Sequence, residues 1–193
     1  MSEGAVSRGA LVGSIISAAF GIGWCQWGAF GITGTAAIVV RVLGAVLGVA
    51  LIVGCVRARR ELRTDPAGAA GSRSMFAARG YRIVVLIEVI ALAGGAAVFG
   101  VTGRTEYQIA WFALVVGVHF VAFGRLFATR FYLLGAALIA AAVLGTVIGL
   151  AGGSAGLVEA VTGFASAVSL FVAAILTIRQ LPARHADMVP AAS

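Results

Sequence analysis

Six runs of apolar residues, separated by short polar breaks, account for most of the 193-residue chain. They cover approximately 11–30, 35–56, 83–101, 107–127, 131–150 and 156–178. The hydrocarbon core of a bilayer is about 30 Å thick, so at about 1.5 Å of rise per residue a helix needs roughly 20 residues to cross it. Each run has that length. The pattern predicts an all-α fold, a six-helix transmembrane bundle built of three helical hairpins. It forms one integral membrane domain over residues 1–193, with a linker at 57–82 and a tail at 179–193. Uncharged, glycine-rich turns at 31–34 and 149–156 can join helices tightly. The fourth and fifth runs are separated by Ala128, Thr129 and Arg130, and Arg125 and Arg130 bracket this turn.

The first run follows Glu3 and a single Arg8, with no small-residue cleavage site after it, and Gly-Ile-Gly-Trp before Cys25 is not a lipoprotein box. It reads as a retained first helix and not a removed signal peptide.

Composition fits lipid as the solvent. Hydrophobic residues make up 61% of the chain and charged residues 11%, with a mean hydropathy of +1.07. A soluble domain of this length could not bury that much apolar surface. The net charge of +7 does not point to nucleic acid, because the arginines sit at the ends of apolar runs and not on a charge-rich face. All fourteen basic residues are arginine, and lysine and asparagine are absent. This reads as the codon bias of a GC-rich bacterium, and hence an inner (plasma) membrane location.

Arginine placement also predicts orientation. The 57–82 linker carries Arg57, Arg59, Arg60, Arg63, Arg73, Arg79 and Arg82 against Glu61 and Asp65, so it is expected in the cytoplasm. Alternation then puts Arg8, Arg125, Arg130, Arg179 and Arg184 on the same side, twelve of the fourteen arginines, with both termini cytoplasmic. Met75, Phe76, Arg79, Tyr81 and Arg82 mix apolar and basic groups beside the membrane. They predict contact with anionic lipid headgroups.

Small residues recur every fourth position: Gly9, Gly13, Ser17 and Gly21 in the first run, Gly44 and Gly48 in the second, Gly145 and Gly149 in the fifth. Such stripes let helix backbones approach closely, either inside the bundle or at the face of a homo-oligomer or membrane partner. Trp24, Trp27, Tyr107 and Trp111 are expected near the outer interface as an aromatic belt, and Tyr81 and Tyr132 near the inner one.

An ionisable group at the bilayer centre costs on the order of 2.5–3.5 kcal/mol even on the mild insertion scale, so each one asks for a partner or a purpose. Glu88 and His119 each lie about fifteen residues from the turn at Gly103 and Arg104, hence at equal depth in regular helices. A carboxylate beside an imidazole can share a proton. The pair reads as glue between two helices, as a proton relay or substrate contact, or as two groups that do not meet. Nearer the outer side, Gln26 and Arg41 each lie about seven residues, some 10 Å, from the Thr33–Gly34 turn. Glu106 and Glu159 are the candidate counter-charges for Arg41, whose alternative is to snorkel outward. Cys25 and Cys55 differ in depth by about thirteen residues, roughly 20 Å, so no disulfide is expected between them.

Catalytic signatures are absent: there is no His-Glu-x-x-His helix, no Gly-x-Ser-x-Gly elbow and no lysine-bearing phosphate loop. One histidine and one glutamate within the runs do not make a zinc site. Neither enzyme activity nor a cofactor or metal is expected.

From Arg82 to Gly135 the chain carries Ile-Glu-Val-Ile-Ala, then Ala-Leu-Val-Val-Gly-Val-His-Phe-Val-Ala-Phe-Gly-Arg-Leu-Phe, then Phe-Tyr-Leu-Leu-Gly. This stretch, about a quarter of the chain, resembles a family of small uncharacterised bacterial multi-pass integral membrane proteins with a glutamate in one helix and Gly-x-His-Phe in the next. Val121 and Ala122 stand where that family carries a proline. The resemblance adds weight to Glu88 and His119 and implies no activity. Two functional readings follow: a structural or accessory membrane component, or a small proton-linked transporter or permease-like protein using Glu88 and His119.

Overall fold

A computed structural model describes residues 3–63, 79–126 and 129–186, and side chains within 11–58, 60, 79–126 and 129–179. Six helices are present: α1 (Glu3–Gly28), α2 (Gly34–Arg63), α3 (Arg79–Thr102), α4 (Gln108–Leu126), α5 (Arg130–Leu150) and α6 (Ala155–Ala186). No strand occurs among the described residues. All six are long and apolar enough to cross a membrane, over Leu11–Gly31, Gly34–Ala58, Arg79–Thr102, Thr105–Leu126, Arg130–Leu150 and Ala155–Arg179. The apolar runs therefore mark the spans. Three helices continue past them at one end: α1 back to Glu3, α2 to Arg63 and α6 to Ala186. Beyond lipid, good helix formers such as arginine and glutamate extend a helix that hydropathy no longer marks. Met75 and Phe76, part of the expected headgroup contact, lie outside the described residues.

The three connections at the opposite end each use a glycine in the left-handed region, Gly34 (φ 70°), Gly103 (φ 69°) and Gly152 (φ 85°). Helices α3 and α5 both stop in a Schellman arrangement. Arg104 N–H donates to Phe99 O at 3.0 Å and Gly103 N–H to Gly100 O at 3.4 Å, and Gly153 and Gly152 repeat the pattern on Ile148 and Gly149. Ser154 then caps α6, its hydroxyl oxygen accepting Leu157 N–H at 3.2 Å. The paired ends of these orphan helix groups explain how such short turns survive at a membrane surface.

The hairpins are antiparallel, but the most extensive packing lies between them, α1 on α6 and α4 on α5. Backbones meet where glycine leaves room. A Cβ on Gly163 would collide with Gly28, one on Gly31 with Gly156 and Ala160, and Gly117 and Gly135 face each other's carbonyls in the same way. Along α6, Val158, Thr162, Ser166, Leu170 and Ala174 fall every fourth residue and are almost wholly buried. The core, which includes Trp24, Ile109, Leu138, Val158 and Leu170, is enclosed by α1, α4, α5 and α6. Helix α2 lies outside against α1 and α6, and α3 lies against α4 and its preceding turn.

The expected glycine stripes are partly realised. Gly21 accommodates Phe171, Gly44 Cys25, Gly48 Ile22, Gly145 Thr162 and Gly149 Tyr107, all inside the bundle, whereas Gly13 has no neighbour close to its Cβ direction. The tryptophans expected in an interfacial belt turn inward instead. Trp24 is buried in the core, Trp27 stacks on it at 5.9 Å and meets Phe112 edge-on at 5.2 Å, and Trp111 is wedged against Gly95. Burying these large rings between helices places their area against protein rather than lipid.

Candidate functional site

On α3, positions 81, 88, 95 and 99 recur at helical spacing and form the face turned to α4. Five contacts hold this seam. Tyr81 stacks on Phe123 at 5.4 Å, and Glu88 meets His119. Gly95 receives the Trp111 ring, with Phe99 at its edge, 6.4 Å away. Trp111 Nε1–H also donates to Ala91 O at 3.0 Å.

Equal depth on opposite sides of the Gly103 turn thus brings Glu88 and His119 together. Oε2 of Glu88 stands 2.8 Å from Nδ1 of His119, with side-chain exposures of 17% and 10%. The carboxylate lies off the axis of a straight N–H···O bond, so Nδ1 has the proximity of an ion pair without the direction of a hydrogen bond. The distance carries the contact, since charge attraction tolerates misalignment that a hydrogen bond does not.

His119 is fixed by aromatic neighbours, with Phe123 at 4.0 Å and Phe120 edge-on at 5.4 Å. Phe120 and Phe123 continue onto Phe131 of α5 at 5.9 and 6.1 Å. Arg130 lies over Phe131 at 5.6 Å. The imidazole therefore sits on a wall built by α4 and α5, and the carboxylate arrives on α3.

The second candidate cluster does not assemble as expected. Gln26 Nε2–H donates to Arg41 O at 3.1 Å, which ties α1 to α2. The Arg41 guanidinium donates from Nη2 to Ala29 O at 3.3 Å and lies 4.6 Å over the Phe30 ring. Among the described residues neither Glu106 nor Glu159 is within ion-pair distance of Arg41. The side chain follows its own hairpin toward the turn, so the carboxylates on the neighbouring elements are not its counter-charges. Cys25 and Cys55 are both free and buried, as the depth difference predicts. The Cys25 thiol points at Val40 O, 3.6 Å away.

Two polar groups in α6 were not singled out by the sequence. Thr146, Ser169 and Thr177 each bond back to the carbonyl four residues earlier. Thr162 and Ser166, wholly buried, have no hydrogen-bond partner among the described residues, and the Thr162 hydroxyl fills the space over Gly145. Their four-residue spacing within an apolar run was the available signal. Among the described residues no group of three or more His, Cys, Asp or Glu side chains could hold a metal ion.

Compared with protein-family models, curated proteins and solved structures, the chain finds no match. Its class is therefore set by the fold: a bundle of six apolar helices, each of membrane-crossing length, as in a multi-pass membrane protein.

Proposed function

We propose that the chain is a structural or accessory component of a bacterial inner membrane, with both termini cytoplasmic, and that Glu88 and His119 act as glue holding α3 on α4. The observation that carries this reading is where the pair lies. It sits on the α3–α4 seam, outside a closely packed core in which Ala18, Leu138, Val158 and Leu170 are almost wholly buried and seal the hydroxyls of Thr162 and Ser166 among them. A solute route would be expected to pass between helix groups near the bundle centre, lined by polar side chains. The resemblance to the bacterial family belongs to this proposal and adds no activity. Exposed arginines at the end of the bundle opposite the glycine turns, Arg57, Arg79, Arg125 and Arg179 among them, support anionic headgroups as partners there.

The test is reconstitution into liposomes loaded with a pH-sensitive dye. No proton or solute movement above empty vesicles is expected, and Glu88→Gln should lower stability or alter assembly. Flux that requires Glu88 would overturn the reading. Orientation is tested separately by membrane-impermeant labelling of a cysteine placed at Arg60, which should be unreactive in intact cells.

A specific observation favours a second reading, a small proton-linked transporter. Two protonatable groups touch at mid-depth, and neither is fully sealed from the surface. In that case Glu88→Gln abolishes pH-linked flux while the fold stays intact.

A further inference from the structure

We infer that Arg41 binds the phosphodiester of an anionic phospholipid at the end of the bundle that carries the three glycine turns. The inference rests on the membrane-spanning fold and not on either functional reading above. Arg41 lies within the Gly34–Ala58 span, and a guanidinium keeps its charge there because it does not deprotonate. An unpaired cation in the apolar layer is costly, and the usual remedies are a carboxylate or the polar surface. No carboxylate is in reach among the described residues.

The side chain instead climbs toward the turn. Its bond to Ala29 O and its place over Phe30 set the guanidinium at the depth where α1 ends, close to the headgroup level. Donor accounting then leaves an excess. Ala29 takes one N–H of Nη2, and among the described residues Nε is buried without an acceptor and Nη1 is neither bonded nor buried. A neutral carbonyl does not cancel the charge. A phosphodiester does, and its oxygens match the spacing of a guanidinium's N–H groups.

The surroundings favour a lipid over a soluble anion. Phe30 is 68% exposed, and Ile38 and Val42, one helical turn apart on α2 with Arg41 between them in sequence, are 63% and 54% exposed. They form an open apolar strip beside the cation, suited to an acyl chain and not to a small hydrated ion. A zwitterionic headgroup would bring a second cation next to Arg41 with no acidic group to receive it. An anionic headgroup brings none, so charge complementarity selects it.

Native mass spectrometry of the full-length protein tests this with phosphatidylglycerol, phosphatidylcholine of the same chains, and inorganic phosphate. The wild type should retain one more phosphatidylglycerol than Arg41→Gln, and should prefer it over phosphatidylcholine about tenfold more strongly than the variant does. Arg79→Gln, at the opposite end, should keep the Arg41-dependent lipid. Equal retention by wild type and Arg41→Gln overturns the inference, as does displacement of the lipid by millimolar phosphate. Should Arg41→Gln fail to fold, Arg41→Lys decides. Loss of the paired N–H geometry should weaken the preference at least threefold, and an unchanged preference refutes the site.

Discussion

Helices α2 and α3 occupy the same kind of position and are held there by opposite means. Both lie outside the four-helix core and turn most of their surface outward, with large exposed residues such as Leu43 and Val46 on one and Leu86 and Ile90 on the other. Helix α2 is seated by absence of side chain: Gly44 and Gly48 admit Cys25 and Ile22 of α1. Helix α3 is seated by rings and charge, through Tyr81 on Phe123, Glu88 on His119 and the Trp111 N–H on Ala91. Lipid tails give helices no hydrophobic reason to associate, so close packing and polar contacts are the two means available. Packing of the first kind is indifferent to protonation. Docking of the second kind brings a carboxylate and an imidazole together, so the two helices differ in the kind of contact that seats them.

Four experiments separate the two modes, in descending order of effect. Gly48→Leu should be the most damaging. Even a Cβ there collides with Ile22, and overpacking of this kind costs about 3 kcal/mol or more. Unfolding in a denaturing-detergent titration should show the loss, with α3–α4 proximity unchanged. Next comes the Glu88 and His119 pair. A double-mutant cycle with Glu88→Gln and His119→Gln should return a coupling of about 0.6–2 kcal/mol, and a coupling near zero would mean that charge does not help seat α3. Trp111→Phe keeps the ring over Gly95 but removes the N–H to Ala91 O. It should cost about 0.6–1 kcal/mol, read in the same titration. Gly94→Ala on α3 meets no atom within 4 Å and should change stability by less than about 1 kcal/mol in either direction. A large loss there would mean that the outer face of α3 is covered by something other than lipid.

The spans and their turns were legible because hydropathy reports directly on the solvent each residue meets. The Glu88–His119 contact was legible for a related reason: counting from a tight turn gives depth, and depth is half of a contact. The other half is azimuth, the direction around the helix, and counting does not supply it. Hence Glu106 and Glu159 match Arg41 in depth but not in direction, and its side chain takes the outward alternative, toward the turn at Ala29 and Phe30. The tryptophans show the same limit, placed at suitable heights and assigned to lipid when they face other helices. The Gly28–Gly163 and Gly117–Gly135 approaches join helices from different hairpins. No count from a shared turn could find them.

The pairing of α1 with α6 has a consequence for how the protein is made. The ribosome delivers α1 first and α6 last, so the helix that waits longest in the bilayer is the one whose chief neighbour has yet to be translated. Its glycine-lined seat at Gly28 and Gly31 is filled only once that later helix has been made. A chain stalled before Ala155 would hold α1 to α5 with the seat for α6 unfilled, its packing surface left uncovered.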